Sequence, residues 1–270
     1  VTYAGNALTD IRVLEELAAK DTFVHRRHPV ANLLVTLGFI VAATSYGKYE
    51  LSAMLPLGLY PLFVFLDGEI PSRPILTRML LALPLVLGVG LFNPIYDRQV
   101  VAVVAGVAVS AGWVSFLSII LRCCLTVIAA LLLISVEGIV GFSAALRALK
   151  VPSILVMQLT LTFRYIHVLG EEAARMALAY RLRAPGQKGV APRQWGPLAG
   201  QWLLRTLKRA DRVFQAMLCR GYHGDLPQVK EQPFRLADLG YLLAWTAFFT
   251  TARLVNIPQA IGTLILGTGG

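Results

Sequence analysis

Apolar residues in this chain come in long runs almost free of charge, not in the alternating or one-face patterns of a soluble domain. Residues 30–46, 51–66, 75–92, about 112–136 and about 239–254 form such runs, and runs of this kind predict transmembrane helices. The first two are short, since about 20 residues are needed to cross a ~30 Å hydrocarbon layer. Flanking residues or local thinning of the bilayer would make up the difference. Pro56 and Pro61 interrupt the second run mildly. Gly47-Lys48-Tyr49-Glu50 reads as a tight external turn, and residues 67–74 as an internal loop. Arg78, near one end of the third run, can snorkel to the interface.

Residues 99–136 are long enough for two spans. Residues 100–110, however, are rich in valine and alternate weakly around Gly106, which suits a short hairpin as well as a helix. Ser110 is placed to cap a helix beginning near Gly112. The charge pattern arbitrates. Arg26 and Arg27 hold the start of the first run in the cytoplasm. Residues 147–235 carry fifteen Lys/Arg against five Asp/Glu, so they also belong inside, and an even number of spans must precede them. Four spans satisfy this, with 99–111 as an external or re-entrant element. Arg122 then falls within a span, where its charge requires a protein-facing or water-facing position.

After Glu137-Gly138 the pattern becomes helical and one-sided. A short amphipathic helix is expected over about 140–149. Pro152, in the first helical position that proline tolerates, opens a long helix to about Ala184, and Pro185-Gly186 ends it. Pro197 opens a second long helix that stops at Gly221, a residue suited to the position just past a helix end. On this helix Leu203, Leu207, Ala210, Phe214 and Met217 form an apolar stripe, with Arg205, Lys208, Arg209 and Arg212 away from it. The N-terminal residues 1–29 are amphipathic, with Asp10 as a possible cap and no signal-peptide core. They read as a cytoplasmic segment of a protein that is not exported.

Composition sharpens this outline. Of the 270 residues 56% are hydrophobic and 15% charged, and the mean hydropathy is +0.65, too apolar for a soluble domain. The expected architecture is an all-α polytopic membrane protein with about five transmembrane helices. Its parts are residues 1–29, a membrane region 30–136, a helical cytoplasmic domain 137–236, and a last span with tail over 237–270. The net charge of +10 lies within 147–235, since the remainder holds ten residues of each sign. Cys123, Cys124 and Cys219 have no metal-ligand spacing and read as reduced, small apolar residues. His25, His28, His167 and His223 are scattered. Glu171 and Glu172 are adjacent and face different ways on a helix, so neither they nor Glu137 suggest acid–base catalysis. No glycine-rich phosphate loop is present. A membrane-embedded enzyme would need clustered Asp or His at the membrane face. A nucleic-acid binder would need aromatics interleaved with its cations or a known module. Neither pattern is found.

The two long helices end alike. Ala179-Tyr180-Arg181-Leu182-Arg183-Ala184 and Ala216-Met217-Leu218-Cys219-Arg220-Gly221 share Ala-x-x-x-Arg followed by a small residue. A cation in the last turn ordinarily complements the helix dipole. A guanidinium beside a small residue, twice over, also offers a closely approaching partner a bidentate contact for carboxylates. Arg164 and Arg175, near one face of the first long helix, are candidates to support it by pairing with acids or carbonyls.

With these motifs the chain resembles the transmembrane coupling (T) component of energy-coupling factor (ECF) transporters, in particular the cobalt-type CbiQ family. His28-Pro29, Arg122, Leu146 with Val151-Pro152, Phe163-Arg164-Tyr165-Ile166 and the two Arg-small signatures carry the resemblance over nearly the whole chain. The departures are Leu182 and Cys219 before the two arginines, Ala184 after the first, and Asn32 where a basic residue is usual. The resemblance implies a non-catalytic permease subunit of an ABC importer in a bacterial or archaeal cell membrane. Ala179, Arg183, Ala184, Ala216, Arg220 and Gly221 would engage two ABC ATPase subunits (CbiO-like). Motion would pass to a separate substrate-binding membrane subunit (CbiM-like, with or without CbiN), with cobalt as the expected cargo and nickel or a vitamin as the alternative. No cofactor or metal would be bound by this chain, ATP being used by the partners, and no nucleic acid is implied.

Overall fold

A computed structural model of the chain describes residue 20 and residues 22–91, 100–104, 107–184, 186, 189–224 and 234–255. Helices cover all five expected apolar runs. They are α1 (Pro29–Ser45), α2 (Leu51–Met54) continued through a 3-10 turn (Leu55–Gly58) into α3 (Leu59–Asp67), α4 (Ser72–Gly90), α5 (Ala111–Ala148) and, last in the chain, α8 (Leu236–Leu254). Between α5 and α8 lie α6 (Ser153–Arg183) and α7 (Trp195–Cys219). By length and composition α5 and α6 can each cross a membrane, while Pro29–Ser45, Leu51–Asp67 and Ile75–Gly88 are shorter apolar helices. The possible cap Asp10 lies outside the described residues.

The chain divides into two compact units. The described residues of 17–138 and 232–270 form one, and those of 139–231 the other. In the first, α1 packs along α8. Ala31, Val35, Phe39 and Ala43, one every fourth residue, are fully buried on a single face. Leu34, Leu37 and Val41 point outward and are exposed, as lipid-facing residues are in a membrane helix. Small residues let helices approach where lipid removes the usual hydrophobic drive. Aromatic rings fill the seam: Tyr60 lies 5.0 Å from Phe39 and 4.9 Å from Trp245, and Phe249 lies 5.7 Å from Phe39. Leu125, Ala129 and Leu132 of α5 join the same core. Pro56 lacks the N–H that an α-helix needs at that point, and the run bends through a 3-10 turn without ending.

Ionic and polar contacts close both ends of this unit. At one end His28 caps α1, its Nδ1 accepting from the Val30 N–H at 3.3 Å. Asp238 accepts from the His28 and Arg235 N–H groups and pairs with Arg27 at 3.7 Å. His25 contacts Thr22 Oγ1, so the two histidines serve a turn and a cap. At the other end Arg253 pairs with Glu50 at 2.8 Å and donates to the Ser45 carbonyl. The Gly47 N–H, and then Arg253, hold the Glu50 carboxyl below its ordinary range. Arg122 donates to the Tyr46 and Gly47 carbonyls. The expectation of a protein-facing arginine therefore acquires a partner: the peptide carbonyls just past the end of α1.

One feature amends the all-helical outline. Two strands, β1 (Val100–Val104) and β2 (Val107–Ser110), pair antiparallel with Val104 opposite Val107. The valine-rich composition favours strand, and the hairpin reading of this stretch is the one that forms. The helices expected over 112–136 and 140–149 form as the two parts of α5, which meet at a kink at Gly138, where φ 59° and ψ −171° are not helical. That backbone combination is essentially restricted to glycine. Gly138→Ala is expected to lower stability by about 1–3 kcal/mol, seen as a reduced melting temperature in detergent. Gly38→Ala, within α1 where a Cβ meets nothing within 4 Å, should leave the melting temperature unchanged.

Candidate functional site

The second unit is built around α6 and α7, of 31 and 25 residues. Pro152 sits at the cap of α6, one position before the first helical residue, and α7 begins at Trp195, two residues ahead of Pro197. The two helices run antiparallel. Tyr222, just past α7, reaches Met157 near the start of α6. Trp202 Nε1 donates to the Leu169 carbonyl at 3.2 Å. Glu172 takes Arg209 at 3.0 Å and Arg205 at 3.7 Å. Beyond these, Ala179 and Tyr180 share a cleft with Gln194 and Pro197.

This register sends the two arginine-bearing ends in opposite directions. Arg183 is the last residue of α6, and Arg220 caps α7 beside Tyr222 at the Met157 level. The separation along α6 is about 26 residues, or about 40 Å at 1.5 Å per residue. Both arginines are exposed, and neither forms an ion pair with a described residue. Ala179 and Ala216, one turn before each, are exposed as well.

The α7 terminus is fixed by its own backbone. Gly221, at φ 79°, donates to the Leu218 carbonyl and Tyr222 to the Met217 carbonyl, each at 3.0 Å. This is the paired closure that a left-handed glycine permits. At the α6 end, Ala184 donates to Tyr180 at 3.0 Å and leaves the helix with φ −122°. The two signatures thus share an exposed arginine but not a common backbone exit.

The expected supporting residues divide. Arg175 pairs with Glu171 one turn earlier, at 3.7 Å. Arg164 is exposed and makes no ion pair with a described residue. His167 is partly enclosed, and both ring nitrogens are buried without a hydrogen-bond partner in the described structure. Among the described residues, no three His, Cys, Asp or Glu side chains gather as a metal site. Sequence reasoning missed the residue that holds the arms together. Glu172 is 37 positions from Arg209, and no local pattern links them. The apolar stripe of α7 is not what packs on α6: Leu203, Leu207 and Phe214 remain exposed, and Trp202, Arg205 and Arg209 make the contact.

The chain is thus a helical membrane protein carrying two antiparallel arms, each ending in an exposed arginine with no ionic partner among the described residues. The CbiQ family profile, described as cobalt transport protein, matches residues 20–231, and the chain belongs to that family. It is also 25% identical over 121 residues to an uncharacterized protein of Methanocaldococcus jannaschii. That match covers 44% of this chain and only 41% of the relative.

Because Glu172 is largely shielded while its arginines are partly exposed, Glu172→Ala should loosen the arms by roughly 1 kcal/mol. Faster amide exchange in α7, with α1 and α8 unchanged, would show it.

Proposed function

We propose that this chain is the coupling subunit of an ECF-type ABC importer for cobalt, passing the motion of two ATPase subunits to a separate substrate-binding membrane subunit. The observation that carries the reading is the pair of exposed arginines, without ionic partners among the described residues, at opposite ends of two long antiparallel helices. A stiff helix transmits displacement along its length, and an exposed guanidinium engages a carboxylate bidentately. Two tips about 40 Å apart suit two ATPases of similar shape, one at each. Family membership favours cobalt as cargo. ATP is bound and hydrolysed by the CbiO-like partners, and the metal is held by a CbiM-like subunit, with or without CbiN. This chain binds no cofactor.

In this reading the protein is multi-pass, and residues 1–29 and 137–236 lie in the cytoplasm. The apolar first half of α6 meets the length criterion for a span. From Arg164 onward, however, the helix carries Arg164, Glu171, Arg175, Arg181 and Arg183, all exposed, which favours an aqueous or interfacial course for it. A cysteine at Val190 should therefore react with impermeant thiol reagents only from the cytoplasmic side. External labelling would overturn the topology.

Arg183→Glu combined with Arg220→Glu is expected to abolish co-purification of the ATPases and cobalt uptake while membrane insertion stays intact. Normal assembly and uptake by the double variant would falsify the docking role.

A further inference from the structure

The end of the arm pair at Arg183 is not a bare tip. An open cleft of about 520 Å³ separates the last turns of α6 from the start of α7. Three guanidinium groups line it, those of Arg175, Arg183 and Arg205. Its one acidic lining residue is Glu172, whose carboxylate is already held by Arg205 and Arg209. Among the described residues Arg175 pairs with the exposed Glu171, at 3.7 Å, a pairing that water largely screens. Arg183 has no ionic partner among the described residues. The cleft thus has surplus positive charge, and Met176, Pro197 and Leu198 give it an apolar wall.

These features select the occupant's chemistry. A surplus of guanidinium groups calls for a carboxylate or another planar anion. A free inorganic anion would leave most of the volume and all of the apolar wall unused. A glutamate or aspartate with an apolar neighbour, presented on a protein surface, satisfies both. A partner that surrounds Arg183 must also cover the cleft, because the same side chain lines it.

We propose that this cleft receives an acidic side chain of the ATPase subunit docked at Arg183. The inference rests on the coupling reading and makes that contact reciprocal: Arg183 enters the partner, and a partner carboxylate enters the cleft between the arms. Ala179 then has a steric reason to be small, since it lines the cleft one turn before Arg183.

The test uses the full-length chain in lipid nanodiscs and its co-expressed ATPase subunits, with affinity measured at two salt concentrations. Ala179→Trp fills the cleft without changing charge, and Arg175→Glu reverses charge on its wall at an exposed position. Each is expected to weaken ATPase binding at least tenfold, and Arg175→Glu should also flatten the salt dependence. Leu178→Trp, on the same turn and exposed but outside the cleft lining, should bind normally. Equal loss from Leu178→Trp and Ala179→Trp would remove the cleft as the cause and overturn the inference. Normal binding by Ala179→Trp and Arg175→Glu, with binding abolished by Arg183→Glu, would sink the cleft and leave the coupling reading standing. Normal binding by Arg183→Glu as well would remove both.

Discussion

The grip of Glu172 on Arg205 and Arg209 is the contact on which the arrangement of the arms depends. α6 and α7 share few apolar contacts, because the most apolar face of α7 is turned away and exposed. Their register is fixed by a largely shielded carboxylate holding two cations, the Trp202 N–H on the Leu169 carbonyl, and Tyr222 on Met157. A charge pair of this kind specifies geometry more than it adds stability. Here the geometry is the antiparallel register, which sends Arg183 and Arg220 to opposite ends.

The membrane unit uses charge differently. Its interior is small residues and aromatic rings, and its charged groups gather at the two ends of the helices. Asp238 gathers Arg27 and two backbone N–H groups at one end. Arg253, Arg122 and Glu50 bind the Ser45–Glu50 turn at the other. Charged groups are tolerated there because water or peptide dipoles are within reach. Arg122 shows how the rule bends: it lies eleven residues into α5, yet the carbonyls past α1 supply the dipoles it needs.

Much of this was legible in the residues. Apolar runs and charge placement gave the helices their positions, since lipid admits only structures that satisfy their own backbone. Gly221 marked the end of α7 because no other residue enters the left-handed region so easily. The hairpin over 100–110 was open to either reading, because a short valine-rich segment carries no decisive period. The break at Gly138 was marked by the Glu-Gly step, and the kink between the two helices falls there.

What the chain determines by itself is local or summed over long windows: which segments are apolar enough for lipid, where helices start and stop, and that two of them end in arginine. The tertiary structure decided which face of α7 meets α6, that Glu172 is the clasp, that the arginine ends diverge, and that Arg183 borders a positively charged cleft. These depend on pairs of residues up to 65 positions apart. The energy of such a pair exists only after folding has brought its members together, so no stretch of sequence can display it.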